Sequence, residues 1–175
     1  GSSSEAMSVS VKWDGAPAVV CGINPDNGKF FVGTKSVFNP GTPKINYTSA
    51  DIRKNHSGGL ADKLQVALKT FPALNIPGIW QGDLLFTSDD LKGADIDGER
   101  VIVFTPNTIT YAIPVRSTLA RTILRSKIGV VWHTTYSGKS MSSLKAKFGA
   151  NANRLALTKR VWSTDATFKD TSGNA

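Results

Sequence analysis

The residues with the most chemical content in this 175-residue chain lie in the run Val11-Lys12-Trp13-Asp14-Gly15-Ala16-Pro17. A lysine amine becomes a nucleophile only when it is neutral, which requires partial burial or nearby cations to depress its pKa. The alternation of residues 8–14 predicts a strand with Val9, Val11 and Trp13 on one side and Ser8, Ser10, Lys12 and Asp14 on the other. Such a strand holds the Lys12 amine at a fixed point against the α-phosphorus of a nucleotide. Gly15 then lets the backbone turn tightly and approach the ligand, and Asp14 can bond a sugar or a water. The product of that attack is a lysyl phosphoramidate. The plainer alternative is a lysine at the end of an ordinary strand, with Trp13 in the core beneath it.

Other polar side chains occupy less obvious settings. Asp83 interrupts the apolar run Gly-Ile-Trp-Gln-Gly-Asp-Leu-Leu-Phe, where a charge needs a ligand, a cation or hydrogen bonds to compensate it. His133 lies in a strongly apolar strand beside Thr134, Thr135 and Tyr136; a histidine satisfied within its strand is the simpler reading, because no second His or Cys stands at metal-ligand spacing. His56 falls among loop residues and is expected to be solvated. Cys21 is the single cysteine, which excludes an internal disulfide and a cysteine-based zinc site, and its apolar neighbours place it in the core. Twenty-one Lys and Arg against 13 Asp and Glu give a net charge of +8, which suits a polyanionic partner. Arg116, Arg121, Arg125 and Lys127 form a modest cluster that either tracks a phosphate backbone or is a solvated helix face.

These residues need a framework to position them. Ala-Val-Val-Cys-Gly-Ile and Lys-Phe-Phe-Val-Gly-Thr read as two strands of a hairpin, with Asn27-Gly28 supplying positive φ angles at the turn. Residues 40–58 read as a long surface loop, followed by a helix with Leu60, Leu64, Leu68 and Phe71 on one stripe. A buried strand carries Asp83, an Asp97-Gly98 turn leads into the strand around Phe104, and another strand includes Tyr111. Ser117–Ser126 predicts a short helix with Leu119 and Ile123 inward and Arg121 and Arg125 outward. The strand Ile-Gly-Val-Val-Trp-His-Thr-Thr-Tyr follows, then a helix over Ser-Ser-Leu-Lys-Ala-Lys-Phe-Gly. Seven or eight strands, mostly antiparallel, with three helices define an α+β fold. No run is long and apolar enough to span a bilayer, no signal-peptide layout is visible, and a cytoplasmic protein is expected.

Lys-Trp-Asp-Gly resembles motif I, K-x-D-G, of the covalent nucleotidyltransferases: DNA ligases, RNA ligases and mRNA capping enzymes. Gly-Thr-Lys-Ser resembles the basic segment that contacts phosphate in RNA ligases, and Gln-Gly-Asp-Leu-Leu-Phe resembles the later strand whose acid binds ribose. The resemblance implies a ligase adenylation-domain-like fold over residues 8–163; the Gly-Ser-Ser-Ser opening marks 1–7 as a tag or disordered N-terminus, and the weakening pattern marks 164–175 as a frayed or truncated tail. It also implies that Lys12 takes up AMP from ATP with Mg²⁺, that Asp14, Gly15, Lys35 and Asp83 bind the nucleotide, and that Phe104 stacks on the purine. More closely, Val9 to Gly173 is similar to an uncharacterised family of tailed-phage proteins.

Two departures accompany this likeness. The metal-holding glutamate of motif IV is replaced by Ile128 in Lys-Ile-Gly-Val-Val-Trp-His, and the K-x-K of motif V finds only Lys145 and Lys147, or Lys159 and Arg160. In the phage family a Glu-Gly-hydrophobic strand and a lysine-rich strand lie further downstream. The expected function is a ligase-like nucleotidyltransferase that joins polynucleotide ends, with RNA favoured over DNA. The alternative is a non-catalytic nucleotide- or nucleic-acid-binding protein on a degenerate ligase scaffold.

Overall fold

The computed structural model of the chain describes residues 16–106 and 108–166. The predicted strand over residues 8–14 and the predicted tail from residue 167 on lie outside them. The described residues form nine strands and three α-helices, the α+β arrangement the sequence implies.

Strand β1 (Ala18–Ile23) and strand β2 (Phe30–Gly33) form the expected antiparallel hairpin, with Ile23 opposite Phe30. Its turn departs from expectation in one respect: Gly28 alone has a positive φ, and Asn24 organises the loop by accepting the amides of Asp26 and Gly28. Residues 40–58 are not all loop. Thr48 and Asp51 form a reciprocal capping box that starts helix α1 (Ser49–Asn55), and Ile52 anchors the helix in the core. The amides of Tyr47, first, and of Thr48 donate to Asp51 and hold its carboxyl below the usual carboxylate range.

Helix α2 (Gly58–Thr70) follows, and its buried stripe centres on Leu64 and Ala67, with Leu60 and Leu68 half-buried at its margins. Strand β3 (Ile79–Thr87) is buried along its whole length. A small meander, β4 (Lys92–Ile96), β5 (Glu99–Phe104) and β6 (Tyr111–Pro114), turns at Asp97 and Gly98, whose φ values of 49° and 80° permit a two-residue hairpin. Helix α3 (Thr118–Arg125), capped by Ser117, directs Leu119, Ala120 and Ile123 inward as predicted. Strand β7 (Ile128–Ser137) then enters the large sheet. The run expected to be helical contains strand β8 (Lys145–Phe148) instead, because pairing with the far half of β7 outweighs the helical preference of Lys-Ala-Lys. Strand β9 (Val161–Asp165) lies parallel to the near half of β7.

The six-stranded sheet has the order β2-β1-β3-β7-β8, with β9 also on β7, and β4-β5-β6 form a second sheet. On one face, Val19, Cys21, Trp80, Leu84, Val130 and Trp132 meet α1 and α2. The opposite face carries two separate apolar clusters. Val20, Phe31, Val37 and Ile79 form one; Leu85, Phe86, Val131 and Trp162 join α3 and the small sheet in the other. Between them runs a row of polar side chains. No helix among the described residues is long and apolar enough to cross a membrane.

Candidate functional site

The polar row is assembled by strand register. Ala18 pairs with Asp83 and Asp83 with Val131, so these residues share one level across β1, β3 and β7. Two residues along, Gln81 pairs with Thr134 while Gly82 pairs with Trp132, which leaves His133 as an extra residue in β7. This is a β-bulge, and it shifts the alternation of the strand by one. Val131 and Thr134, three residues apart, therefore face the same side, which an unbroken strand forbids.

Because of that shift, side chains from both halves of β7 converge on β3. Asp83 and His133 are only 3% and 8% exposed, and the His133 Nε2 lies 3.3 Å from Asp83 Oδ1. The other ring nitrogen, Nδ1, is 2.8 Å from the Thr134 hydroxyl. Tyr136 donates its hydroxyl to the Gln81 side-chain carbonyl, and partial burial pushes the Tyr136 phenol up. Gly82 makes the close approach possible: a Cβ there would stand 2.5 Å from the Val131 carbonyl oxygen and 2.9 Å from the Trp132 ring.

The bulge coincides with a change of partner on the outer edge of β7. Strand β9 runs up from Ile128 as far as Trp132, and β8 runs down from Ser137 as far as Thr134. Their ends meet at the bulge, where Gly149 donates to the His133 carbonyl and Ala166 to the Trp132 carbonyl. Asp165 stitches the junction by accepting the Ala152 amide at 2.6 Å.

The expected site residues are placed unevenly. Lys12, Asp14 and Gly15 lie outside the described residues; the segment they lead into, Ala16-Pro17, is fixed by the Leu84 amide, which donates to the Pro17 carbonyl at 2.8 Å. Asp83 stands at the centre of the polar row. Lys35 is exposed just past the end of β2 that lies level with Val20 and Gln81. Phe104 is reassigned by its packing. Its ring lies 5.7 Å from Tyr111 in a stacked pair and 5.1 Å from Phe86, inside the second core, so no face is left for a purine.

Ile128, at the motif IV position, is fully buried against the helices' side. Lys145 and Lys147 pair with Ser137 and Thr135, and so project from the face opposite Gln81 and Thr134. Arg121 and Arg125 are exposed on α3, whereas Arg116 lies beside Asp95 and Glu99 at the small sheet. His56 is not simply solvated: its Nε2 faces the buried Asn46 amide at 3.2 Å. Cys21 is core, and burial pushes its thiol up.

The sequence gives little sign of the His133–Asp83 contact, because the two residues are 50 apart and a bulge has no local spacing signature. The one visible cue is the polar triplet Thr134-Thr135-Tyr136 at the end of an apolar strand.

A mixed antiparallel α+β fold with a buried carboxylate–imidazole–hydroxyl row is the class these features define. The whole chain, residues 1–175, matches a family of unknown function, DUF6267, and belongs to it. No curated protein and no solved structure matches the chain.

Proposed function

We propose that this protein is a ligase-like nucleotidyltransferase that forms a covalent lysyl-AMP on Lys12 from ATP and passes the nucleotide to a polynucleotide 5′ phosphate, RNA in preference to DNA. The observation that carries this reading is the register of Ala18 on Asp83. The chain leaving Lys-Trp-Asp-Gly enters β1 directly beside the acid of Gln-Gly-Asp-Leu, and Gly129-Val130-Val131 occupies the next strand. The strand that follows the first motif, the strand that carries the acid of the second and the Gly-Val-Val strand, far apart in sequence, are thus neighbours in one sheet. Lys12 lies five residues before Pro17, and an extended chain of that length reaches at most about 18 Å.

In this scheme Lys12 attacks the α-phosphorus, Asp14 and Lys35 serve the nucleotide's polar groups, and Asp83 orients the ribose. Among the described residues no three His, Cys, Asp or Glu side chains come together as a metal site. In this reading Mg²⁺ comes with the triphosphate and offsets the charge of the leaving pyrophosphate. Arg121 and Arg125 offer exposed cations to the polynucleotide backbone.

The burial of Ile128 at the motif IV position favours a second reading, a non-catalytic nucleotide- or nucleic-acid-binding protein on the same scaffold. Intact mass spectrometry after incubation with ATP, GTP or NAD and Mg²⁺ separates the two. A gain of one nucleoside monophosphate that is absent in Lys12→Ala supports the transferase and names its nucleotide. An unchanged mass with every nucleotide, under conditions where the protein remains folded, leaves the binding protein.

A further inference from the structure

We propose that His133 is a positioning residue for Asp83, held in place by Thr134 as the middle member of a hydroxyl–imidazole–carboxylate relay. The geometry carries this. A β-strand normally sends adjacent side chains to opposite faces, and only the bulge at residue 133 brings His133 and Thr134 to the same side, toward Asp83. Both ring nitrogens then have partners: Thr134 Oγ1 at 2.8 Å from Nδ1, and Asp83 Oδ1 at 3.3 Å from Nε2.

The donor inventory sets the direction of the chain. A carboxylate only accepts, so Nε2 carries the proton, and in the neutral ring the Thr134 hydroxyl donates to Nδ1. Each group restrains the next, and the ring cannot flip without breaking both bonds. The carboxylate so held is the one the proposed function uses for ribose, and the functional half of this inference rests on that reading. The relay itself stands on the geometry alone.

The role of His133 is to fix the angle at which Asp83 meets its ligand, not to touch the ligand. Gln can place an amide N–H near the position of Nε2, whereas Leu cannot donate at all. His133→Gln is therefore expected to keep the KM for nucleotide in lysyl-adduct formation within about threefold. His133→Leu is expected to raise it about tenfold or more, with a smaller change in kcat, as befits loss of a hydrogen bond to a charged group. Equal KM values for the Gln and Leu variants would overturn the positioning role.

A second measurement tests the relay without any nucleotide. The chain has two histidines, so His56→Gln leaves one imidazole to observe by ¹⁵N NMR. The expected spectrum is the Nε2–H tautomer with a slowly exchanging proton, whose exchange accelerates when Thr134→Val is added. A ring protonated on Nδ1, or one with mixed tautomers, would overturn the relay. If wild-type protein forms no lysyl adduct with any nucleotide, the nucleotidyltransferase reading fails by itself, and the NMR result still decides the relay.

Discussion

Replacing Gly82 by alanine tests the bulge directly. The new methyl would stand 2.5 Å from the Val131 carbonyl oxygen, 2.9 Å from a Trp132 ring carbon and 3.1 Å from the Trp132 Cα. A carbon normally approaches a carbonyl oxygen to about 3.3 Å, so β3 and β7 must separate locally by roughly 0.8 Å. Neither wall yields easily: one is backbone, and the other is a fully buried indole that also packs on Trp80 and Phe71. Overpacking of this kind costs about 1–3 kcal/mol. Alanine returns about 0.4–1 kcal/mol by stiffening the unfolded chain, leaving a net loss of about 1.3 kcal/mol at mid-range. For a chain of this size the midpoint of thermal unfolding should then fall by about 3–5 °C.

The assay is urea unfolding followed by tryptophan fluorescence, with Gly59→Ala as the contrasting variant. Gly59 lies in the first turn of α2, and no atom comes within 4 Å of the point a Cβ would occupy, so alanine there should stabilise by about 0.4–1 kcal/mol. A Gly82→Ala protein with an unchanged urea midpoint would refute the close approach of β3 to β7, and with it the bulge that brings His133 to Asp83.

Three further outcomes are expected. His56 has its pKa lowered by burial first and by Lys44 second, and its Nε2 accepts from the Asn46 amide, which also donates to the Val32 carbonyl. A lowered folded value means that the unfolded chain binds the proton more readily. Stability is therefore full above the ordinary histidine range and falls as pH drops through the folded value. Urea midpoints at pH values spanning that range check this, and His56→Gln should flatten the dependence. Arg121→Ala with Arg125→Ala should weaken single-stranded RNA binding and reduce the slope of log affinity against log salt by about 1.4; an unchanged slope removes these residues from the interface. Cys21, fully buried with its thiol pushed up, should react with a thiol reagent only on unfolding; rapid reaction in the native state would contradict its place in the core.

The parts of this fold legible in sequence are those in which local and tertiary preferences agree. The β1–β2 hairpin, the mostly apolar β3, the Asp97-Gly98 turn and the inward face of α3 are of this kind. Helix α1 carries a readable cue, Thr48 three residues before Asp51, but the polar loop-like composition around it obscures the signal. Strand β8 is not legible, since Lys-Ala-Lys-Phe has no alternation of burial and becomes a strand through the edge that β7 offers. Asp83 can be singled out as a buried charge from its apolar neighbours alone. Its partner cannot, because the His133 contact depends on a one-residue slip between strands that periodicity does not encode. Phe104 looks available for stacking because a sequence does not show which aromatic rings already face one another.

The row that pairs Ala18 with Asp83 and Asp83 with Val131 continues to Thr164 of β9. With strands spaced about 4.8 Å apart, Ala18 and Thr164 stand about 14 Å from each other across the sheet. Ala18, Asp83, Val131 and Thr164 thus stand on one line across four strands, and a one-residue slip of β3 would carry the buried carboxylate out of that line and turn it to the opposite face.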